Sequence, residues 1–191
     1  MNRIGIFGGS FDPVHHGHLL VAQAATEELE LDRLVFVPAY QSPFKPDRHP
    51  APGPQRLRML RLALAGQTHF EVDDSELRRG GVSYTIDTAR AYAARYPGAS
   101  LFYLIGADHI SQLPRWREST ELARMLQFVV IPRPGEEPAS APASFSLQQL
   151  RGFPIAVSSS QIRERVKLGL PIDHLTPVPV AEAIRNNQLY L

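Results

Sequence analysis

The sequence predicts an open, doubly wound α/β fold of the Rossmann-like kind: a parallel sheet with helices on both faces, in one domain spanning residues 1–191. Two observations carry this. A strand, a glycine turn, a helix and a second strand fit into the first 39 residues, which is a βαβ unit. The same alternation then continues down the chain, with neither an internal repeat nor a break in composition. A length of 191 residues and an apolar fraction of 43% allow a well-buried core.

Each element follows from its residues. Ile4 to Phe7 is a short apolar run ended by Gly8-Gly9, as expected of a buried strand. Leu19 to Leu31 holds no Gly or Pro and is rich in Ala, Leu and Glu, hence a helix. RLVFVPA (33–39) is a strand. Residues 55–66 place Leu57, Leu60 and Leu64 on one helical stripe, with Gly66 as the stop. HFEVDD (69–74) predicts a strand, and 84–96 a helix closed by Pro97-Gly98. SLFYLIGAD (100–108) predicts a strand running into a Gly-Ala-Asp turn, and LQFVVIP (126–132) another strand. FPIAVSSS (153–160) predicts a short strand entering a serine cluster, and 161–169 and 179–187 are closing helices. Residues 42–54 and 132–154 hold five prolines each and are expected to be surface loops. The first follows a strand's C-terminal end, where this architecture binds ligands.

Composition narrows the function. Net charge is +1, which predicts neither a nucleic-acid partner nor an anionic membrane. No apolar run approaches the roughly 20 residues of a membrane span, and MNRIGIF is no signal peptide, so a cytoplasmic protein is expected. The absence of cysteine excludes disulfides, thiolate metal sites and a Cys nucleophile. Of 20 basic residues only Lys45 and Lys167 are lysines. Oligomeric state leaves no mark on the sequence.

The chemistry concentrates in GIFGGSFDPVHHGHLL (5–20). Gly8, Gly9 and Ser10 stand where backbone N–H groups could approach a phosphate, with a helix start aimed at the same place. The stretch spells neither G-x-G-x-x-G nor a P-loop, which disfavours a dehydrogenase and a P-loop enzyme. His15 and His18, three apart at a helix start, share one face, and Gly17 between them leaves room for a ligand. Imidazoles beside a phosphate could donate hydrogen bonds to its oxygens; equally, one could cap the helix and the other join the core. Their spacing lacks the Glu and the i, i+4 geometry of a zinc motif. Far away, Ser158-Ser159-Ser160-Gln161-Ile162-Arg163 joins a capping box (Ser158 with Gln161) to free helix N–H groups, two hydroxyls and an arginine.

GGSFDPVHHGH resembles the N-terminal motif of the nucleotidyltransferase superfamily, H-x-G-H, and VSSSQIR (157–163) resembles its I-S-S-T-x-I-R motif. With Gly106-Ala107-Asp108, SYTIDT (83–88), Trp116 and the ending LTPVPVAEAIRNNQLY, the chain is similar along nearly its whole length to bacterial nicotinate-nucleotide adenylyltransferases. The resemblance implies adenylyl transfer from ATP to nicotinate mononucleotide in NAD biosynthesis, with Mg²⁺ carried by the ATP phosphates and no dedicated protein metal site. It implies that Gly8, Gly9 and Ser10 cradle phosphates, that His15 and His18 bind the α- and β-phosphates, and that Lys45, Ser159, Ser160 and Arg163 hold the departing pyrophosphate. It further implies that Gly106 and Asp108 meet the adenosine ribose, while Thr85 and Trp116 seat the pyridine ring. Ser160 replaces the motif's Thr and keeps the hydroxyl. Phe44 stands where the family's P-P-H-K loop has His, which puts any triphosphate contact of that side chain in doubt. Arg117, after Trp116, could face the nicotinate carboxylate or lie in solvent. Another small nucleotidyltransferase, such as a phosphopantetheine adenylyltransferase or a cytidylyltransferase, would share His15, His18 and the serines, and a non-catalytic nucleotide-binding module would share the scaffold. Thr85, Trp116 and residues 42–45 separate these readings.

Overall fold

The computed structural model describes residues 2–44, 49–132, 142 and 144–191. Six parallel strands form one sheet in the order β3-β2-β1-β4-β5-β6: β1 Arg3–Gly9, β2 Arg33–Pro38, β3 Phe70–Val72, β4 Ser100–Gly106, β5 Gln127–Ile131 and β6 Leu147–Gln149. The helices are α1 His16–Glu28, α2 Gly53–Ala63, α3 Ser75–Arg79, α4 Thr85–Arg95, α5 Ser119–Met125, α6 Ser159–Lys167 and α7 Val178–Asn186, with a 3₁₀ helix at Ala107–Arg115.

Alternation along the central strands sends side chains into two separate cores, the mark of a sheet covered on both faces. Ile4 and Ile6 of β1 and Val35 and Val37 of β2 pack with Ile86, Ala89 and Tyr92 of α4 and Leu122 of α5. Phe7, Leu34 and Phe36 point the other way, onto Ala22 and Ala25 of α1, Met59 and Leu60 of α2, and Ile162 and Ile184 of α6 and α7. The chain crosses from one half of the sheet to the other between β1 and β4, whose pairing runs from Arg3↔Ser100 to Phe7↔Leu104. A crevice therefore opens beyond the carboxyl ends of these two strands.

Most expected elements are present, with shifted ends. The first helix starts at His16 rather than Leu19, so the histidine motif forms its opening turn. Three features differ. Residues 153–157 are not a strand: Phe153 and Ile155 are exposed and the chain there has no sheet partner. The sixth strand lies instead at Leu147–Gln149, inside the segment expected to be a proline-rich loop, paired to β5 through Phe128↔Leu147. Its anchor is hydrophobic: Phe145 and Leu150 on either side are buried. Finally, the turn after β4 winds into the 3₁₀ helix, with Ile110 and Leu113 buried beneath it.

Among the described residues, no helix is long and apolar enough to cross a membrane.

Candidate active site

The site is built on the end of β1. The strand runs through both glycines, with Gly8 opposite Val37 and Gly9 opposite Pro38, so they lie within β1 and not after it. Side-chain packing demands them. A Cβ on Gly8 would lie 2.4 Å from the Tyr103 hydroxyl, and one on Gly9 would lie 3.1 Å from the Phe11 ring. Phe11 itself is buried and holds φ at +46°, a left-handed conformation uncommon for a bulky residue and characteristic of over-determined functional turns. The turn is fixed from below by Arg56, 1% exposed, whose Nη1 donates to the Ser10 carbonyl at 2.7 Å.

The two histidines both cap and face the crevice. His15 is the N-cap of α1, and its backbone N–H donates to Nδ1 of His18 at 3.2 Å. With Nδ1 accepting, the neutral His18 ring carries its proton on Nε2. The two rings lie 3.8 Å apart between centroids. Gly17 lines the first cavity and also makes room for His15, since a Cβ there would sit 3.0 Å from that imidazole. His18 keeps part of its surface open to the cavity while packing against Phe7 and Phe11 at 5.9 and 5.0 Å. Burial lowers the His15 pKa to about 4, aided by the neighbouring His16. Burial, then the proximity of His15, holds His18 well below the ordinary imidazole value. Both rings are thus neutral at pH 7. The buried Nδ1 of His15 has no hydrogen-bond partner.

The serine cluster meets this turn across some 150 residues of chain. Ser158 caps α6, accepting from the Gln161 N–H at 3.2 Å while Gln161 Oε1 accepts from the Ser158 N–H at 2.9 Å. Ser159 Oγ donates to the Pro13 carbonyl at 2.9 Å. Arg163 Nη1 donates to the Asp12 carbonyl at 2.7 Å, and Nη2 to Ser160 Oγ at 3.1 Å. The Asp12 carboxylate, 2% exposed, accepts from the Tyr190 hydroxyl at 2.8 Å and from the Ala51 N–H at 3.1 Å. Thr176 Oγ1 donates to the Val14 carbonyl at 2.7 Å. One cavity of about 360 Å³ results, lined by Ser10, His15, His18, Gly106, Asp108 and the three serines. The N-terminus of α6 and two hydroxyls of its first turn border it, an arrangement suited to an anion. Arg163 does not line this cavity; its guanidinium bridges Asp12 and Ser160. His16 does not line it either.

A second cavity of about 200 Å³ adjoins the first and shares Phe7, Ser10, Gly106, His109 and Ile131 with it. Here Thr85 and Trp116 come together, and Gly8 and Gly9, expected to cradle phosphates, line this cavity and not the first. Thr85 opens α4 but is not its cap, a position held by Tyr84; its Oγ1 donates to the Tyr103 hydroxyl at 3.3 Å. Trp116 sits among Tyr103, Phe128 and His109, and its buried Nε1–H lacks a partner. The His15 and Trp116 rings border the first and second cavity respectively. Asp108 lies exposed in the first turn of the 3₁₀ helix, on the rim of the larger cavity. Arg117 is more than half exposed and lies over the Tyr84 ring, 3.8 Å from Glu118. Lys45 lies outside the described residues.

Sequence reasoning missed three walls of the second cavity. Phe44 packs its ring against Trp116 and His109, each 5.7 Å away, so it joins the aromatic wall. Tyr103 reaches into the space left by Gly8; a glycine pair beside a strand bearing a tyrosine was the available signal. Glu76 is 4% exposed and sits in a five-residue helix too short to show periodicity.

Comparisons with known proteins agree. The model of the cytidylyltransferase-like family matches residues 6–165. A protein of Opitutus terrae, named a probable nicotinate-nucleotide adenylyltransferase, is 44% identical over 191 residues, covering 98% of this chain and 97% of its own length. One of Bacillus licheniformis with the same name is 40% identical over 190 residues, covering 100% and 99%. The fold is shared with the Plasmodium falciparum nicotinic acid mononucleotide adenylyltransferase complexed with NaAD, at a TM-score of 0.80 and 18% identity over 100% of this chain and 98% of that one. With a family model spanning most of its length and relatives at this identity end to end, the chain belongs to the nicotinate-nucleotide adenylyltransferases of the cytidylyltransferase-like family.

Proposed function

We infer that this protein transfers the adenylyl group of ATP to nicotinate mononucleotide, giving nicotinate adenine dinucleotide and pyrophosphate. The observation that carries this is the pair of adjoining cavities at the ends of β1 and β4. One is polar and bordered by a helix N-terminus; the other is aromatic. They share the wall where a mononucleotide phosphate and an ATP α-phosphate would meet.

The chemistry needs no protein nucleophile. An oxygen of the mononucleotide 5′-phosphate attacks the α-phosphorus in line. The bond from that phosphorus to the α–β bridging oxygen breaks, and pyrophosphate leaves with the electron pair. Holding two phosphorylated reactants in register supplies about 7–11 kcal/mol of the barrier. His18 donates its Nε2–H to a phosphate oxygen as charge builds there, and the neighbouring His15 acts beside it. Being neutral already, they need shed no proton before reaction. The Ser160 hydroxyl and the α6 N-terminus receive the pyrophosphate, joined by Lys45, while Ser159 holds the helix start to the Pro13 carbonyl. Arg163 serves chiefly by holding Ser160 against the Asp12 turn. Asp108 accepts from ribose hydroxyls beside Gly106, and Ser10 with the β1 glycines borders the α-phosphate. Trp116 and Thr85 receive the pyridine ring.

Mg²⁺ enters with the triphosphate. Asp108 is the acidic side chain on the phosphate cavity. Such a site fits an ion held by phosphates and water, where it would neutralise charge on the leaving group.

The test is pyrophosphate release from ATP with nicotinate mononucleotide, nicotinamide mononucleotide, phosphopantetheine or no acceptor. Turnover should be fastest with nicotinate mononucleotide and yield the dinucleotide. Equal or faster turnover with phosphopantetheine sinks the assignment.

A further inference from the structure

Glu76 is a buried carboxyl with no part in the mechanism above, yet it lines the ring cavity alongside Thr85, Tyr103 and Trp116. It is held from several sides. Thr88 Oγ1 of α4 hydrogen-bonds its Oε1, and the Ser83 hydroxyl bonds it as well. Ser83 in turn accepts the Tyr40 N–H at 3.0 Å, tying this wall to the start of the proline-rich loop. The charged and titratable groups acting on it are Arg79 of its own helix, Asp73 just before that helix, and the Tyr103 phenol of β4. Burial is the largest influence and pushes its pKa up. This carboxyl and a ring seated by Thr85 and Trp116 would share one cavity of about 200 Å³. A ring bearing a carboxylate brings a second negative charge into that space; a ring bearing a carboxamide brings none. Like charges in one desolvated site do not both stay ionised.

We propose that Glu76 is a specificity-determining residue of the ring cavity, entering the nicotinate complex as the neutral acid, so that recognition of the ring carboxylate is coupled to uptake of a proton from solvent onto the Glu76 carboxyl. This rests on the reading that nicotinate mononucleotide is the acceptor. The sign follows directly. As pH rises through the ionisation of Glu76 in the free protein, the neutral acid becomes scarce and KM for nicotinate mononucleotide climbs, toward about tenfold per pH unit. KM for nicotinamide mononucleotide lacks this added slope, and the 5′-phosphate common to both cancels in the comparison.

The experiment measures KM for both mononucleotides between pH 6 and 9 in the wild-type protein and in Glu76→Gln. It adds calorimetric titration of the wild-type protein in two buffers of different ionisation enthalpy. The expected result is a nicotinate-specific slope, removed in Glu76→Gln, and greater proton uptake with nicotinate than with nicotinamide mononucleotide. Parallel KM profiles in the wild type, an unchanged slope in Glu76→Gln, or equal proton uptake overturns the proposal. If Glu76→Gln does not fold, the wild-type profiles and calorimetry decide alone. Failure of nicotinate mononucleotide to react at all would instead remove the function inferred above, a different outcome from turnover without the slope.

Discussion

The phosphate cavity and the ring cavity share a wall but are constructed in opposite ways. The first is stitched by hydrogen bonds between distant segments: Ser159 to Pro13, Arg163 to Asp12, Thr176 to Val14 and Tyr190 to Asp12. The second is chiefly packed, its walls formed by Tyr103, Phe44, Trp116 and the buried Glu76, with hydrogen bonds confined to the side of Thr85, Ser83 and Glu76. A site for a charged, conformationally mobile triphosphate needs fixed donors, because preorganised dipoles carry the chemistry. A site for a flat ring needs shape, because its binding comes from area and stacking. The two cavities should therefore fail differently: damage to the first lowers turnover, and damage to the second weakens capture of one substrate.

The largest effect should come from the stitched side. His18→Ala removes a preorganised donor and should lower kcat about 10²–10³-fold with the far-UV spectrum intact. Turnover near wild type would take His18 out of the chemistry. Next is acidification. The folded-state values of His15 and His18 lie below that of an unfolded imidazole, so between pH 6.5 and about 4 the unfolded chain binds more protons. Their stabilising contribution is complete above pH 6.5 and is lost as pH falls, at up to about 1.4 kcal/mol per pH unit for each ring. Urea titrations at a series of pH values should show this slope, and His15→Gln should make it shallower. A slope unchanged by that substitution would mean other groups titrate.

The packed side supplies the contrast. Gly8→Ala drives a methyl into the Tyr103 hydroxyl and should raise the mononucleotide KM by about 5- to 100-fold, the range of overpacking costs. Adding Tyr103→Phe should recover much of the loss. If ATP KM rises equally, Gly8 serves both cavities and the contrast weakens. Trp116→Ala should be mildest, a roughly 2- to 13-fold rise in KM for the mononucleotide with little change for ATP.

This contrast also decides what could be read from the chain. The stitched cavity was legible because its parts are short local motifs: a histidine pair at a helix start and a serine run with a capping box. Its closure by Asp12 and Tyr190 left no local trace, since it spans 178 positions. The packed cavity was half legible. Trp116 and Thr85 stood out through resemblance. Glu76 did not, because a five-residue helix carries no periodicity, and Phe44 stood out only as a departure from the family's loop and not as a wall of the ring site. The fold was legible wherever strands were buried on both faces. It failed at 147–157, where alternating Phe153, Ile155 and Val157 imitate a strand while Leu147–Gln149 has two of its three residues exposed. Alternation reports a buried face and cannot tell a sheet from the wall of a ligand cavity.

The bond from Tyr190 to Asp12 bears on how the protein is made. The ribosome releases the histidine turn early, with Ala51 and Arg56 soon after, yet Ser159, Arg163, Thr176 and Tyr190, which tie it down from the other side, emerge only near the end. A nascent chain can lay down β1 to β5 and still lack a finished triphosphate seat. The contacts that close the phosphate cavity are therefore among the last the growing chain can make.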